Sequence, residues 1–281
     1  MIKKYRVYII IFYILAAASL ITASFVDLNL DKMLNDPSDG FSIWFEAMGE
    51  MPCRLICTFA GVTIFYLAEN KALKIFGLIA DLGGSAYLGY HIASYLFLER
   101  FNIVFGVIFG VCIGLTALYL GQFIKYEDNL KRAFIILSVA GIIVMFVQLG
   151  TIEISKMIWG RVRFRDLLKQ GSFDAFTPWY HINGINGNRS FPSGHTAGAA
   201  MSYLMMLIPF VSKKWAKRRY LCFAIPLVFT SVVAYTRLVM GAHYLSDVTV
   251  GGAIGFTVTI IAIKILDKKY FNTCNLESDN V

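Results

Sequence analysis

Eight apolar runs dominate this chain of 281 residues, at 7–26, 52–68, 75–98, 103–122, 133–153, 196–212, 220–239 and 246–266. A helix crosses the hydrocarbon core of a bilayer with about 20 apolar residues, and these runs are close to that length. A composition that is 57% apolar and only 16% charged excludes a disordered protein and argues against an ordinary soluble globule. The spans use most of the sequence and leave no length for a separate soluble module. The expected fold class is all-α: a polytopic transmembrane helical bundle of about eight spans, forming one integral membrane domain over 1–281.

Charge placement sets the orientation. With the N-terminus cytoplasmic, eight spans put 16 of the 26 Lys and Arg inside, including Lys3, Lys4, Arg6, five basic residues between Lys213 and Arg219, and Lys264, Lys268 and Lys269. Cytoplasmic loops are enriched in Lys and Arg, so both termini are expected in the cytoplasm and the protein in the plasma membrane. The net charge of +8 then follows from topology and calls for no nucleic-acid partner. Met1 to Arg6 before a long apolar run imitates a secretory leader, but a run of about 20 residues is too long for one and reads as the first anchor. In the acidic first outer loop, Phe41 to Met48 with Trp44 reads as a segment lying at the membrane surface.

Cys57, Cys112 and Cys222 lie inside spans and the five cysteines are an odd set, so no disulfide framework is expected. Cys53 and Cys57 share a helical face and read as packing. Gly106, Gly110 and Gly114 recur every four residues in the fourth span, and Gly251 and Gly255 repeat that spacing in the eighth. Small residues at this period let helices approach closely. Asp81 and His91 fall inside the third span. Asp81 is expected to snorkel or to hydrogen-bond a neighbouring helix, and His91, nearer the outer side, carries no catalytic expectation.

Three clusters of polar residues stand where positive charge is not expected. The longest non-apolar stretch, Ser155 to Arg189, carries Lys156, Arg161, Arg163, Arg165, Lys169 and Arg189 on the outer side. A solvated loop would account for it; so would an anionic partner, and lipid phosphates lie at that depth. Next, Pro192-Ser193-Gly194-His195 opens the sixth span. Ser193 there is an ordinary helix cap, yet the same residues supply a hydroxyl, free N–H groups at a positive helix end and an imidazole. Third, Thr236-Arg237, His243 and Asp247 straddle the outer junction of the last two spans. A carboxylate four residues from a histidine can hold one ring nitrogen and free the other. Each cluster alone has a structural explanation, but together they occupy four helix ends at one membrane face.

These residues resemble the three signatures of the type 2 phosphatidic acid phosphatase superfamily, which also contains the vanadium haloperoxidases. Lys156 and Arg163 match the first, with Phe164 in place of a proline. Pro192 to His195 match the second in full. Arg237, His243 and Asp247 match the third, with Thr236 in place of a serine. The resemblance covers 156–247 and implies a six-helix phosphatase core, so that of the eight counted spans two at the N-terminal side are either extra or miscounted. It implies that His243 is the nucleophile, oriented by Asp247, and that His195 is the acid and then the base. Lys156, Arg163, Ser193, Gly194 and Arg237 would cradle the phosphate, with Phe164 shaping the loop and so substrate choice. Glu153 is expected to pair with Lys156, and His181 to be a loop histidine. Arg161, Arg165 and Arg189 are expected either at a second phosphate and lipid headgroups or in solvent.

No dense carboxylate or cysteine cluster is visible in the outer loops, so no metal or other cofactor is expected. The expected activity is a membrane lipid phosphatase acting at the extracytoplasmic face on phosphatidic acid, phosphatidylglycerol phosphate or a polyprenyl pyrophosphate. A phosphotransferase on the same scaffold is one alternative. A transporter or non-catalytic lipid-binding protein, suggested by the many spans with Asp81 and His91, is another.

Overall fold

The computed structural model describes residues 2–96, 100–125, 127–211 and 213–266. It is 80% helical, with no strand among the described residues. In chain order the helices are α1 (Arg6–Leu34), α2 (Gly40–Met48), α3 (Met51–Leu67), α4 (Lys71–Leu96), α5 (Arg100–Gly121), α6 (Asp128–Trp159) and α7 (Phe164–Gln170). There follow α8 (Gly194–Ala200), continued by a 3₁₀ stretch (Met201–Leu207) into α9 (Ile208–Val211), then α10 (Lys213–Ala216), α11 (Leu221–Val239) and α12 (Leu245–Leu266). The C-terminal Lys268 and Lys269 lie outside the described residues.

Among the described residues, six helical stretches are long and apolar enough to cross a membrane: Lys3–Leu34, Gly40–Leu67, Ile103–Gly121, Leu130–Gln170, Leu221–Val239 and Leu245–Leu266. The other two expected spans are also helical. However, α4 carries Asp81 and His91, and the run from α8 to α9 is interrupted by its 3₁₀ stretch, so neither meets that standard. The outward faces of these helices bear large apolar side chains such as Ile14, Phe109 and Phe146, each more than half exposed. Such a surface is stable against lipid and not against water.

Local chemistry places the helix ends. Asp39 caps α2 by accepting from the Ser42 amide at 2.9 Å. A break at Gly49–Glu50 separates α2 from α3, which carries Pro52 in its first turn. Gly160 ends α6 at φ 52°, and a Cβ there would lie 2.1 Å from the Gly184 carbonyl oxygen. At the start of α12, Asp247 reaches back to accept from the Tyr244 amide at 3.0 Å, in the manner of a capping box.

Both glycine rows pack as expected. A Cβ on Gly89 of α4 would sit 1.9 Å from the Gly106 carbonyl of α5, and one on Gly110 would sit 2.2 Å from the Ser85 carbonyl. Between α12 and α8 the corresponding distances are 2.2 Å from Gly251 to the Ser193 oxygen and 2.7 Å from Gly255 to the Ala197 oxygen. This second contact presses the start of α8 against the turn that carries His243 and Asp247. An aromatic cluster of Phe12, Tyr203, Phe223 and Phe256 binds α1, the 3₁₀ stretch, α11 and α12 together, with Phe12 and Phe256 stacked at 3.9 Å.

The expectation for Asp81 fails. Its side chain is fully buried, and neither carboxylate oxygen has a hydrogen-bond partner. Gly61 and Gly77 allow α3 and α4 to approach so closely that a Cβ on Gly61 would lie 2.3 Å from the Asp81 amide nitrogen. Helix contact has closed over the carboxylate before it could reach water.

Candidate active site

At one end of the bundle, the C-terminal ends of α4, α6 and α11 meet the N-terminal ends of α3 and α8 around a cavity of about 240 Å³. Lys156, Arg163, Gly194, His195, Arg237 and His243 line it, so the three sequence clusters do share one chamber. The lining carries five cations, Arg54, Lys156, Arg163, Arg165 and Arg237, against three carboxylates, Glu46, Glu50 and Glu153. The excess of two positive charges suits a phosphate monoester dianion.

Arg237 is 1% exposed, and none of its three guanidinium nitrogens makes a hydrogen bond. Glu46 Oε1 stands 3.2 Å from Nη1, a Coulombic contact without hydrogen-bonding geometry. Arg163 Nε and Gln148 Oε1 are also buried without partners. Arg237 thus has Glu46 as its charge partner, while its donors at the cavity wall make no hydrogen bond within the protein. Lys156 reaches over the start of α8, where a Cβ on Gly194 would come within 3.2 Å of its Nζ. Gly194 is therefore the space that the ammonium occupies, and Glu153 pairs with it at 3.5 Å as expected.

His243 differs from the expectation in one respect. Its Nδ1 lies 2.7 Å from the Ser190 carbonyl and 3.7 Å from Asp247 Oδ2. A carbonyl only accepts, so Nδ1 carries the proton and Nε2 keeps its lone pair. The tautomer is held by the Ser190 backbone, while Asp247 contributes negative charge from slightly farther away. Asp247 itself is fully buried and accepts from Arg161 Nη1 at 2.6 Å, from Ser190 Oγ and from the Tyr244 amide.

Burial, with Arg163 and Lys156 adding to it, pushes the His243 imidazole down to about 4 against the pull of Asp247. The ring is thus expected to stay neutral well below the ordinary histidine value of about 6.5. Between those two values the unfolded chain takes up a proton that the folded protein refuses, so falling pH works against the fold there. Imidazole ¹⁵N shifts of labelled protein at pH 5.5 are expected to show His243 neutral and protonated on Nδ1; an imidazolium signal at that pH would contradict this.

Three assignments change. Ser193 is fully buried, and its hydroxyl caps α8, accepting from the Thr196 amide and from Thr196 Oγ1 at 3.0 Å. It stands outside the cavity wall, because the Gly251 contact pins it against α12. Arg161 meets neither phosphate nor solvent: it is fully buried and holds Asp27 and Asp247 together. Phe164 stands outside the cavity lining and packs with Leu167 and Tyr244 in a buried cluster. Arg189 stays partly exposed to solvent, one of its two expected settings, and pairs with Glu153. Arg165, by contrast, lines the cavity, with Nη1 at 3.8 Å from Glu46. His181 is exposed in its loop, as expected.

Sequence reasoning missed the wall that α2, α3 and α4 provide. Glu46, Glu50, Arg54 and Tyr95 all line the cavity. His91 lies beside it, with Nε2 3.8 Å from Glu50 and its ring 6.4 Å from that of His195. A signal was available, since Glu46, Glu50 and Arg54 recur every four residues, the spacing of a helical face, although the break at Gly49–Glu50 divides them between α2 and the start of α3.

An all-helical membrane protein with a basic, histidine-bearing cavity at one end of its bundle is the class that these observations define. Residues 133–271 match the model of the PAP2 superfamily, and this segment of the chain belongs to that superfamily. Together with the apolar helices it makes the protein a phosphatase-type membrane protein. No curated protein matches the chain, and no solved structure does.

Proposed function

We propose that the protein is a lipid phosphatase, hydrolysing a phosphate or pyrophosphate headgroup at the extracytoplasmic face through a phosphohistidine on His243. The observation that carries this reading is the buried guanidinium of Arg237, unmatched by any hydrogen bond in the chamber that also holds the free Nε2 face of His243. Phosphoryl transfer spreads charge over three oxygens, and catalysis consists largely of placing cations around them. Arg237 and Arg163 offer planar forks, while Lys156 acts as a point charge at the start of α8.

In the first step the His243 Nε2 lone pair attacks phosphorus. The bond to the leaving oxygen breaks, and His195 gives that oxygen a proton. In the second step His195 takes a proton from water, which displaces His243 from phosphorus. The placement of cytoplasmic basic residues supports the outer face for the chamber. The lipid tail lies between helices, and phosphatidic acid, phosphatidylglycerol phosphate and a polyprenyl pyrophosphate such as undecaprenyl pyrophosphate are the substrates to test.

Phosphate release by purified protein across that panel is the decisive measurement. At least one lipid is expected to yield free phosphate. Silence across the panel would sink the reading, and a newly phosphorylated alcohol without free phosphate would make the protein a phosphotransferase.

A further inference from the structure

Two arginine–carboxylate–histidine chains converge on the cavity. The first is Arg161–Asp247–His243. The second comes from a different part of the sequence: Arg54 donates to Glu50 Oε2 through Nε at 3.1 Å and through Nη2, while Glu50 Oε1 lies 3.3 Å from His195 Nδ1. The second ring nitrogen of His195, Nε2, lies 3.1 Å from the Glu46 carbonyl oxygen.

That carbonyl can only accept, so Nε2 carries a proton. Nδ1 faces a carboxylate and is satisfied only if it too is protonated. Both contacts are made at once only by the imidazolium form, the state a general acid must start from; burial, with Arg237, His243 and His91 adding to it, pushes the ring down to about 3, and the Glu50 charge is the largest pull the other way. The Glu50 side chain is 13% exposed, which limits screening of its charge by water. Arg54, lying 4.8 Å over the Tyr87 ring, occupies Oε2 and turns Oε1 toward the histidine. The backbone makes room for this: a Cβ on Gly198, one turn after His195, would come within 3.3 Å of Glu50 Cγ.

Resting on the roles of His243 and His195 given above, we propose that Glu50 is the positioning residue of the acid step, holding His195 through Nδ1 so that its Nε2 proton goes to the leaving oxygen. As the P–O bond breaks, its electron pair stays on that oxygen, which takes the Nε2 proton, while the His243 lone pair forms the N–P bond. His195 is left neutral, still protonated on Nδ1 against Glu50. Its new Nε2 lone pair then receives the proton of the attacking water. Glu50 and Arg54 lie before the matched segment 133–271, so α3 completes the catalytic chamber as well as crossing the membrane.

The test compares leaving groups in the full-length purified protein. An alkyl phosphate, such as a lipid phosphate monoester, needs its leaving oxygen protonated; 4-nitrophenyl phosphate hardly does. Glu50→Gln is expected to lower kcat on the lipid monoester by about 100-fold, and by about ten-fold or more beyond its loss on the aryl ester. Equal losses on the two substrates, or no loss, would overturn the proposal, because a merely structural defect does not distinguish leaving groups. His195→Ala separates the two levels of inference. If it shows the leaving-group effect and Glu50→Gln does not, only the role of Glu50 falls; if His195→Ala lacks it, the acid assignment falls. Should Glu50→Gln fail to fold, Arg54→Gln reads the same ratio through the carboxylate it orients.

Discussion

His243→Ala is expected to bring phosphate release down by at least about 10⁴-fold while leaving the protein inserted and folded. Loss of a nucleophile removes the covalent route altogether, and such losses in other enzymes reach about 10⁶-fold. The side chain lines the cavity and makes one hydrogen bond, to the Ser190 carbonyl, so its removal unties little of the fold. Asp247→Asn is expected to be milder, at about 10²-fold. Where a carboxylate alone fixes the tautomer of a catalytic histidine, its amide variant costs about 10⁴-fold, because the ring flips to the wrong tautomer. Here the Ser190 carbonyl holds Nδ1–H, and Asp247 at 3.7 Å supplies mainly the charge that favours the positive phosphohistidine. The check is phosphate release together with trapping of an acid-labile, alkali-stable protein phosphate in His195→Ala supplied with an aryl phosphate, whose leaving oxygen needs no proton from His195. Label that persists after His243 is also replaced would place the covalent bond on another residue.

The helical class and the chemistry-bearing helix ends were legible in the sequence, because each is a local property: apolar length, glycine period, or a short motif at a span boundary. Lys156, Gly194 and Arg237 needed only the topological rule to be placed together, and all three line the chamber. What was not legible depends on partners distant in sequence. Ser190 holds the His243 tautomer through its backbone, which no side-chain pattern reveals. Arg161 and Arg163 are two residues apart and equally charged, yet one is buried against Asp27 and Asp247 and the other lines the cavity. The spacing of Glu46, Glu50 and Arg54 was visible, but acidic residues between two apolar runs look like ordinary solvated ones. Only the packing of α3 against α8 shows that Glu50 faces His195.

Arg161→Met is expected to destabilise the protein by about 3–5 kcal/mol, the cost of breaking a buried ion pair from one side. The guanidinium uses its whole fork, donating from Nε to the Thr177 carbonyl at 2.8 Å, from Nη1 to Ser246 and Asp247, and from Nη2 to Asp27 at 2.9 Å. It also lies 4.1 Å from the centre of the Tyr244 ring. Without it, Asp247 and Asp27 lose their cation while remaining buried, and Asp31, fully buried with no hydrogen bond on either oxygen, adds a third carboxyl nearby. Arg161→Lys keeps the charge but not the planar fork, so it is expected to recover only part of the loss. Pairing Arg161→Met with Asp27→Asn removes one of the stranded charges and is expected to be less destabilising than the sum of the two single changes. Unfolding midpoints in detergent check all four proteins. A near-native midpoint for Arg161→Met would mean that these carboxyls do not depend on the guanidinium, and that Asp247 is oriented from elsewhere.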